Sequence, residues 1–383
     1  FHLQTPYSSF AYIAAVVGIV PEHAYESAAY GQKPIGSGRY ILKQWDKGEQ
    51  VIMEANPDYY GEEANIKKVT VVFMSEEASY AAAKSGQVDV AYTDPDYTVR
   101  PITGYDILSF NSVDVRGINL PCIPAGNKTG PDAAGATLPA GNDVTANRAI
   151  RQAIACAIDR EALVRDVLYG YGSVAYSESI GEPWESQTMK VEYDPLRARA
   201  ILEADGWTLD ANGIYEKNGL KAEFDLLYIA SNSARTGIAM AVTEMLKEVG
   251  IKVNPTGSSW DQIAGLYYKT PHVFGAGMHS PAGLISHYYS GKNGASYSNP
   301  VVDDYIRQAL AAPSVEASYE YWMKAQWDGN TGVTPAADSP WVWLVEIKHV
   351  YFARENLNVI DEKIHPHGYG WTITNNVDQW YWD

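Results

Sequence analysis

The stretch Asn147–Gly172, NRAIRQAIACAIDREALVRDVLYGYG, constrains this chain more than any other. Ile150, Ile154, Ala157, Ile158, Val164, Val167 and Leu168 recur at three- and four-residue spacing, which lays one apolar stripe along a helix and turns it toward a core. Arg148, Arg151, Arg160, Glu161 and Arg165 fall largely off that stripe. Asp159 is placed to cap a second helical segment, because its carboxylate can accept the free amide protons of Glu161 or Ala162, and Gly170 and Gly172 then release the chain. Two packed helices follow from the residues alone, with no chemistry implied.

At 383 residues the chain exceeds one ordinary core, so two lobes are expected. A formal charge of −17 sets it apart from nucleic-acid binders, whose phosphate affinity comes from clustered Lys and Arg. No apolar run approaches the roughly 20 residues of a membrane helix. Cys122 and Cys156 lie far apart in no C-x-x-C pattern, which argues against a cysteine zinc site; a disulfide stays open, and two unpaired thiols are favoured. Phosphate-loop, G-x-S-x-G and H-E-x-x-H patterns are all absent, so the common signatures of nucleotide and hydrolytic chemistry are missing.

In chain order, Tyr40–Trp45 and Gln50–Glu54 alternate as two strands about Asp46-Lys47-Gly48, and Asn56-Pro57 closes the hairpin. Ile66–Phe73, Glu76–Ser85 and Val88–Ala91 read as strand, helix and returning strand of one α/β unit. Pro121–Ala146, rich in Gly, Pro, Ala and Asn, reads as a long loop. Asp194-Pro195 opens a helix ended by Gly206, and a strand from Ala222, a helix over Ser233–Glu248 and a strand from Ile251 form a crossover. Trp341–Leu344 and Lys348–Phe352 read as strands.

The run R-Q-A-x-x-x-A-I-D-R-E-x-L-V at Arg151–Val164 resembles the central helices of the solute-binding proteins of ABC importers, in the class that takes up peptides and nickel. Flanking segments resemble that family in the same order: PIGSGRY with N-P-D-Y-Y-G, AAAKSGQVDVAY, VRGINLP, YDPLRARAILEADGW and GIKV followed by Trp260. Ser37 and Arg39 depart from the family's Thr and Pro. The resemblance implies an α/β fold of two hinge-linked lobes, periplasmic-binding-protein-like and of class II type in its large peptide-binding subclass, with a mixed sheet in each lobe. It implies lobe one at 1–116, lacking the N-terminal part found in the family, lobe two at 117–350, and a return to lobe one at 351–383.

It further implies a non-enzymatic substrate-binding component that captures an extracellular solute, a short peptide first and a nickel chelate as the alternative, and delivers it to permease and ATPase subunits. No resident cofactor is expected; nickel, if bound, arrives as the chelate. The setting is extracytoplasmic, periplasmic or at the cell surface, with membrane association through a partner or a lipid anchor upstream of Phe1. An extracellular hydrolase is the remote rival. Of greatest functional interest is GAGMHSPAGLISHYY at Gly275–Tyr289, which stands where the family carries W-x-x-D-Y-x-D-P but lacks its Trp and Asp. There Met278, His279 and Ser280 are candidate ligand contacts, and His279, whose neutral imidazole suits Ni²⁺, is the one candidate metal ligand. Trp341, Trp343 and Trp371 are candidate aromatic contacts near the hinge, and Arg39 and Arg116 candidate partners for a ligand carboxylate.

Overall fold

The computed structural model describes residues 1–15, 17–25, 30–129, 137–277, 280–360, 364 and 375–383. The chain forms two compact units, one of Phe1–Ile13 with Val113–Ile347, the other of Ala14–Ser112 with Lys348–Asp383. The crossings thus fall a few residues from the expected ones at 116 and 350, and Phe1–Ile13 packs with the larger unit: Ser8 donates its amide to the Leu310 carbonyl at 2.9 Å and its hydroxyl to that of Ala309 at 2.7 Å.

The larger unit is built on a six-stranded mixed sheet in the order Lys252–Ser258, Glu223–Ile229, His272–Gly277, Asp114–Asn119, Trp341–Ile347, Gly172–Val174. Its first three strands run parallel and the rest pair antiparallel. Both faces are covered, which is why Trp-Val-Trp-Leu-Val at 341–345 is a continuous apolar run rather than an alternating one. One face packs Ile118, Leu226, Val342 and Leu344 against Ile150 and Ile154 of helix Arg148–Ala157 and Ile238, Val242 and Leu246 of helix Ser233–Glu248. The other carries Trp184, Tyr288, Ile306, Trp322, Trp341 and Trp343.

The organising helices form as read. Asn147 caps the first, its side chain accepting from the amides of Ala149 and Ile150, and Asp159 caps the second through Ala162. Two of the arginines placed off the apolar stripe are nonetheless buried. Arg160 donates to the carbonyls of Trp343 (2.8 Å) and Ala155 (3.1 Å), and Arg151 to those of Asp338 and Thr145, so their guanidinium donors satisfy buried and half-buried backbone acceptors.

In the smaller unit Tyr40–Asp46, Gln50–Ala55 and Lys68–Val72 form an antiparallel sheet, with Gly48 at positive φ in the expected turn. His349–Arg354 pairs antiparallel with both Val90–Thr93 and Tyr105–Phe110. The mixed sheet expected in each lobe therefore holds for the larger unit, whereas the described strands of the smaller one pair only antiparallel. The α/β unit expected at 66–91 also differs: helix Glu76–Lys84 joins strands of two separate sheets, because His349–Arg354, not Lys68–Val72, supplies the partner of Val90–Thr93. Within the expected loop 121–146, Gly126–Thr129 and Thr137–Ala140 pair as two antiparallel arms.

Candidate functional site at one edge of the sheet

Ligands of open α/β sheets sit outside the carboxyl ends of the parallel strands. Here those ends are Ile229, Ser258 and Gly277. Asp114 pairs with Gly277, Glu346 with Val115, and Ser173 with Glu346, so the antiparallel strands present the start of 114–119 and the end of 341–347 at the same edge. The chain also enters this unit at Val113 and leaves it at Ile347, so the edge adjoins both crossings.

Each residue at the edge is fixed by its element. Arg235 lies in the first turn of helix Ser233–Glu248, directly after the strand that ends at Ile229. Its guanidinium is buried 5.0 Å from the ring centroid of Trp260 and 5.8 Å from that of Phe274. Trp260, the first residue of helix Trp260–Leu266, stands edge-on to Phe274 at 5.7 Å and leaves half its surface exposed. An exposed indole backed by a buried cation and a second ring is a firm stacking platform.

Beside it, Arg116 and Asp114 form a buried bidentate ion pair, with Arg116 Nη2 to Asp114 Oδ2 at 2.8 Å. A Cβ at Gly275 would stand 2.5 Å from Arg116 Nη1 and 3.1 Å from the Val115 carbonyl. Gly275→Ala is accordingly expected to cost about 1–3 kcal/mol, because the guanidinium must leave Asp114 to make room; thermal unfolding of the variant checks this.

Two carboxyl groups lie close by. Burial pushes Glu346 up to about 7 against its 3.1 Å bond from the Ser173 hydroxyl, and the charges of Asp114, Glu182 and Glu185 push the same way. Burial likewise pushes Glu178 up to about 7, although Tyr288 donates to it at 2.8 Å and the Trp343 indole donates in turn to the Tyr288 oxygen at 3.0 Å.

The residues singled out from sequence divide among several places. Arg116 is at the edge, opposite Gly275 of strand His272–Gly277. Met278, His279 and Trp371 lie outside the described residues. Ser280 caps the short helix Pro281–Gly283, accepting from the Ala282 amide at 3.3 Å. Arg39 belongs to the other unit, held by Asp378 at 3.1 Å and the Asn375 carbonyl at 2.8 Å. Trp341 and Trp343 are core residues, stacked at 4.8 Å with 4° between their planes and closed over by His287, so they present almost no surface to a solute.

Trp260 stands in the sequence only as a landmark of the family resemblance, and neither it nor Arg235 nor Phe274 is among the candidate site residues read there. Among the described residues no cluster of three His, Cys, Asp or Glu is placed to hold a metal. Cys122 and Cys156 are unpaired thiols.

The fold is that of the two-lobed α/β periplasmic-binding proteins. Residues 1–296 match the bacterial extracellular solute-binding proteins, family 5 Middle, and the chain belongs to that family. It is 30% identical over 372 residues to Protein XP55 of Streptomyces lividans, covering 92% of this chain and 63% of that protein. It is 30% identical over 258 residues to the oligopeptide-binding protein AppA of Bacillus subtilis, covering 65% and 44%. The chain thus spans less than two thirds of the length of these relatives. Among solved structures, NikZ from Campylobacter jejuni in complex with Ni(L-His) superposes with a TM-score of 0.82 at 22% identity, over 99% of this chain and 76% of that one. AppA from Bacillus subtilis in complex with a nonapeptide gives 0.75 at 23%, over 100% and 76%.

Proposed function

We propose that this chain is the solute-capturing part of the substrate-binding component of an ABC importer, that its solute is a short peptide, and that it hands the solute to a membrane permease driven by a separate ATPase. The observation that carries the proposal is the sheet edge, where an exposed Trp260 backed by Arg235 and Phe274 adjoins both chain crossings. Family membership and the likeness to an oligopeptide-binding relative support it. Such a component acts outside the cytoplasm, anchored by lipid or held by its permease, and has no catalytic cycle or resident cofactor. Among the described residues no helix is long and apolar enough to cross a membrane.

A nickel chelate is the second reading, favoured by the fold likeness to a protein crystallised with Ni(L-His). In it His279 ligates the metal and a small organic ligand supplies the remaining donors, with Met278 and Ser280 beside it.

Isothermal titration against a di- to hexapeptide mixture, and against Ni²⁺ with and without L-histidine, separates the two. The peptide reading expects peptide heats that survive His279→Ala and weaken about tenfold or more in Trp260→Ala, as a central aromatic anchor should. Heats seen only with nickel and histidine, and lost in His279→Ala, establish the second reading instead. Peptide heats indifferent to Trp260→Ala remove the edge from the proposal.

A further inference from the structure

A cavity of about 200 Å³ lies in the larger unit away from the edge described above. Its wall includes Ala336–Asp338, just before the strand Trp341–Ile347 begins, whereas the solute edge is at that strand's other end, about 20 Å away at the usual rise per residue. Arg148 and Asp338 are its two charged lining residues, joined by Gln152, Asn299, Thr331 and Trp327.

The two charges are held differently. Asp338 Oδ2 is half-buried and fixed by Tyr297 Oη at 2.8 Å and Asn299 Nδ2 at 3.1 Å, while its main-chain carbonyl accepts from Arg151 Nε at 2.8 Å. Arg148, one residue past the helix cap, is exposed and makes no hydrogen bond or ion pair among the described residues. Leaving a guanidinium unpaired at a cavity mouth, with a positioned carboxylate also in the lining, gives a site of two opposite charges that do not neutralise each other.

The walls are preformed. Gln152 Nε2 donates at 2.9 Å to the carbonyls of both Ala336 and Ala337, which ties helix Arg148–Ala157 to the opposite wall. The turn below Trp327 is closed by Asp328, whose Oδ1 accepts from the amides of Asn330 (2.8 Å) and Thr331 (2.7 Å). At Gly332, φ is 159° and a Cβ would drive into the Gln326 carbonyl, so the wall requires glycine there. A rigid, mostly polar cavity costs a ligand little reorganisation.

We propose that this cavity is a second small-molecule site that takes a free α-amino acid. The ligand ammonium meets Asp338, its carboxylate meets the Arg148 fork, and its side chain lies against Trp327. Arg suits the carboxylate because its planar donors can engage both oxygens at once. The volume is on the scale of one amino acid. No covalent step is involved, and the site is separate from the solute edge.

The test is calorimetric titration with the free L-amino acids, each paired with its N-acetyl amide, which keeps the side chain and lacks both charges. Binding is expected for one or more free amino acids and for none of the capped forms. It should weaken about tenfold or more in Arg148→Gln, an exposed change that leaves the packing alone, and in Asp338→Asn. Intrinsic tryptophan fluorescence should change on binding in the wild type and not in Arg148→Gln. The proposal falls if no free amino acid binds at millimolar concentration, if a capped form binds as well as its free counterpart, or if binding is unaltered in Arg148→Gln.

Discussion

Arg116→Ala is expected to destabilise the larger unit by about 3–5 kcal/mol, which for a unit of this size lowers its Tm by about 10 °C. The cost arises less from the lost attraction than from what remains. Asp114 is as buried as Arg116, and without the guanidinium its carboxylate loses its bidentate counter-charge in a buried place. Asp114→Ala should cost a similar amount, and the double variant less than the sum of the two, because the two groups act through one shared contact. Arg116→Lys does not restore the loss, since an ammonium cannot make the two parallel bonds that the fork makes. Calorimetric unfolding of the four variants checks this. Equal additivity of the single and double losses would mean that Arg116 and Asp114 act independently.

The same pair bears on the proposed solute. Arg116 stands out in the sequence as a cation available to a ligand carboxylate. In the structure its charge is already balanced by Asp114 two residues earlier on the same face of the strand. A ligand carboxylate reaching this site would have to compete with a buried bidentate partner, so the pair serves first to pin the strand beside the crossing at Val113 and to hold the ground that Gly275 leaves open.

What could be read from the sequence divides along a physical line. Local periodicity and capping reported the helix at Arg148–Ala157, its Asn147 cap, the Asp159 restart and the hairpin about Gly48, because those features are set by residues within a turn or two of one another. Strand partnership was harder. Helix Glu76–Lys84 is flanked by strands that look like one α/β unit, yet their partners lie in different sheets, and one of those partners is more than 250 residues away.

The site failed to appear for a related reason. Arg235, Trp260 and Phe274 meet because three parallel strands end side by side, and nothing in their spacing announces it. Trp341 and Trp343 are the converse case, candidate contacts by residue type that the fold buries. Two aromatic residues inside an unbroken apolar run mark a strand buried on both faces, so their rings belonged in the core from the start.

The second large effect is on the pH dependence of stability, and it is read as a difference between proteins. Glu178 and Glu346 both stand at about 7 in the folded chain, above the usual carboxylate value near 4.5. A carboxyl raised on folding stabilises the native state fully below its unfolded pKa and loses that contribution as pH rises through the folded one. For Glu178 the loss is about 3 kcal/mol between pH 4.5 and pH 8. His272 and His287 run the other way, because burial holds both at about 4, so their contribution is present above about 6.5 and is lost as pH falls toward 4. The two carboxyls and the two imidazoles therefore oppose each other between about 4.5 and 6.5, and the wild-type curve alone does not display either set. Glu178→Gln isolates one of them. Glutamine keeps an acceptor for the Tyr288 hydroxyl and carries no charge, so the variant's stability relative to wild type should climb by about 3 kcal/mol from pH 4.5 to pH 8, steadily between the two pKa values and levelling off above about 7. Tyr288→Phe should not reproduce that slope, since it leaves the carboxyl titratable and removes only the donor that favours its charged form. Denaturant melts at a series of pH values decide it: a constant difference between wild type and Glu178→Gln would mean that the Glu178 carboxyl titrates at its ordinary value despite its burial.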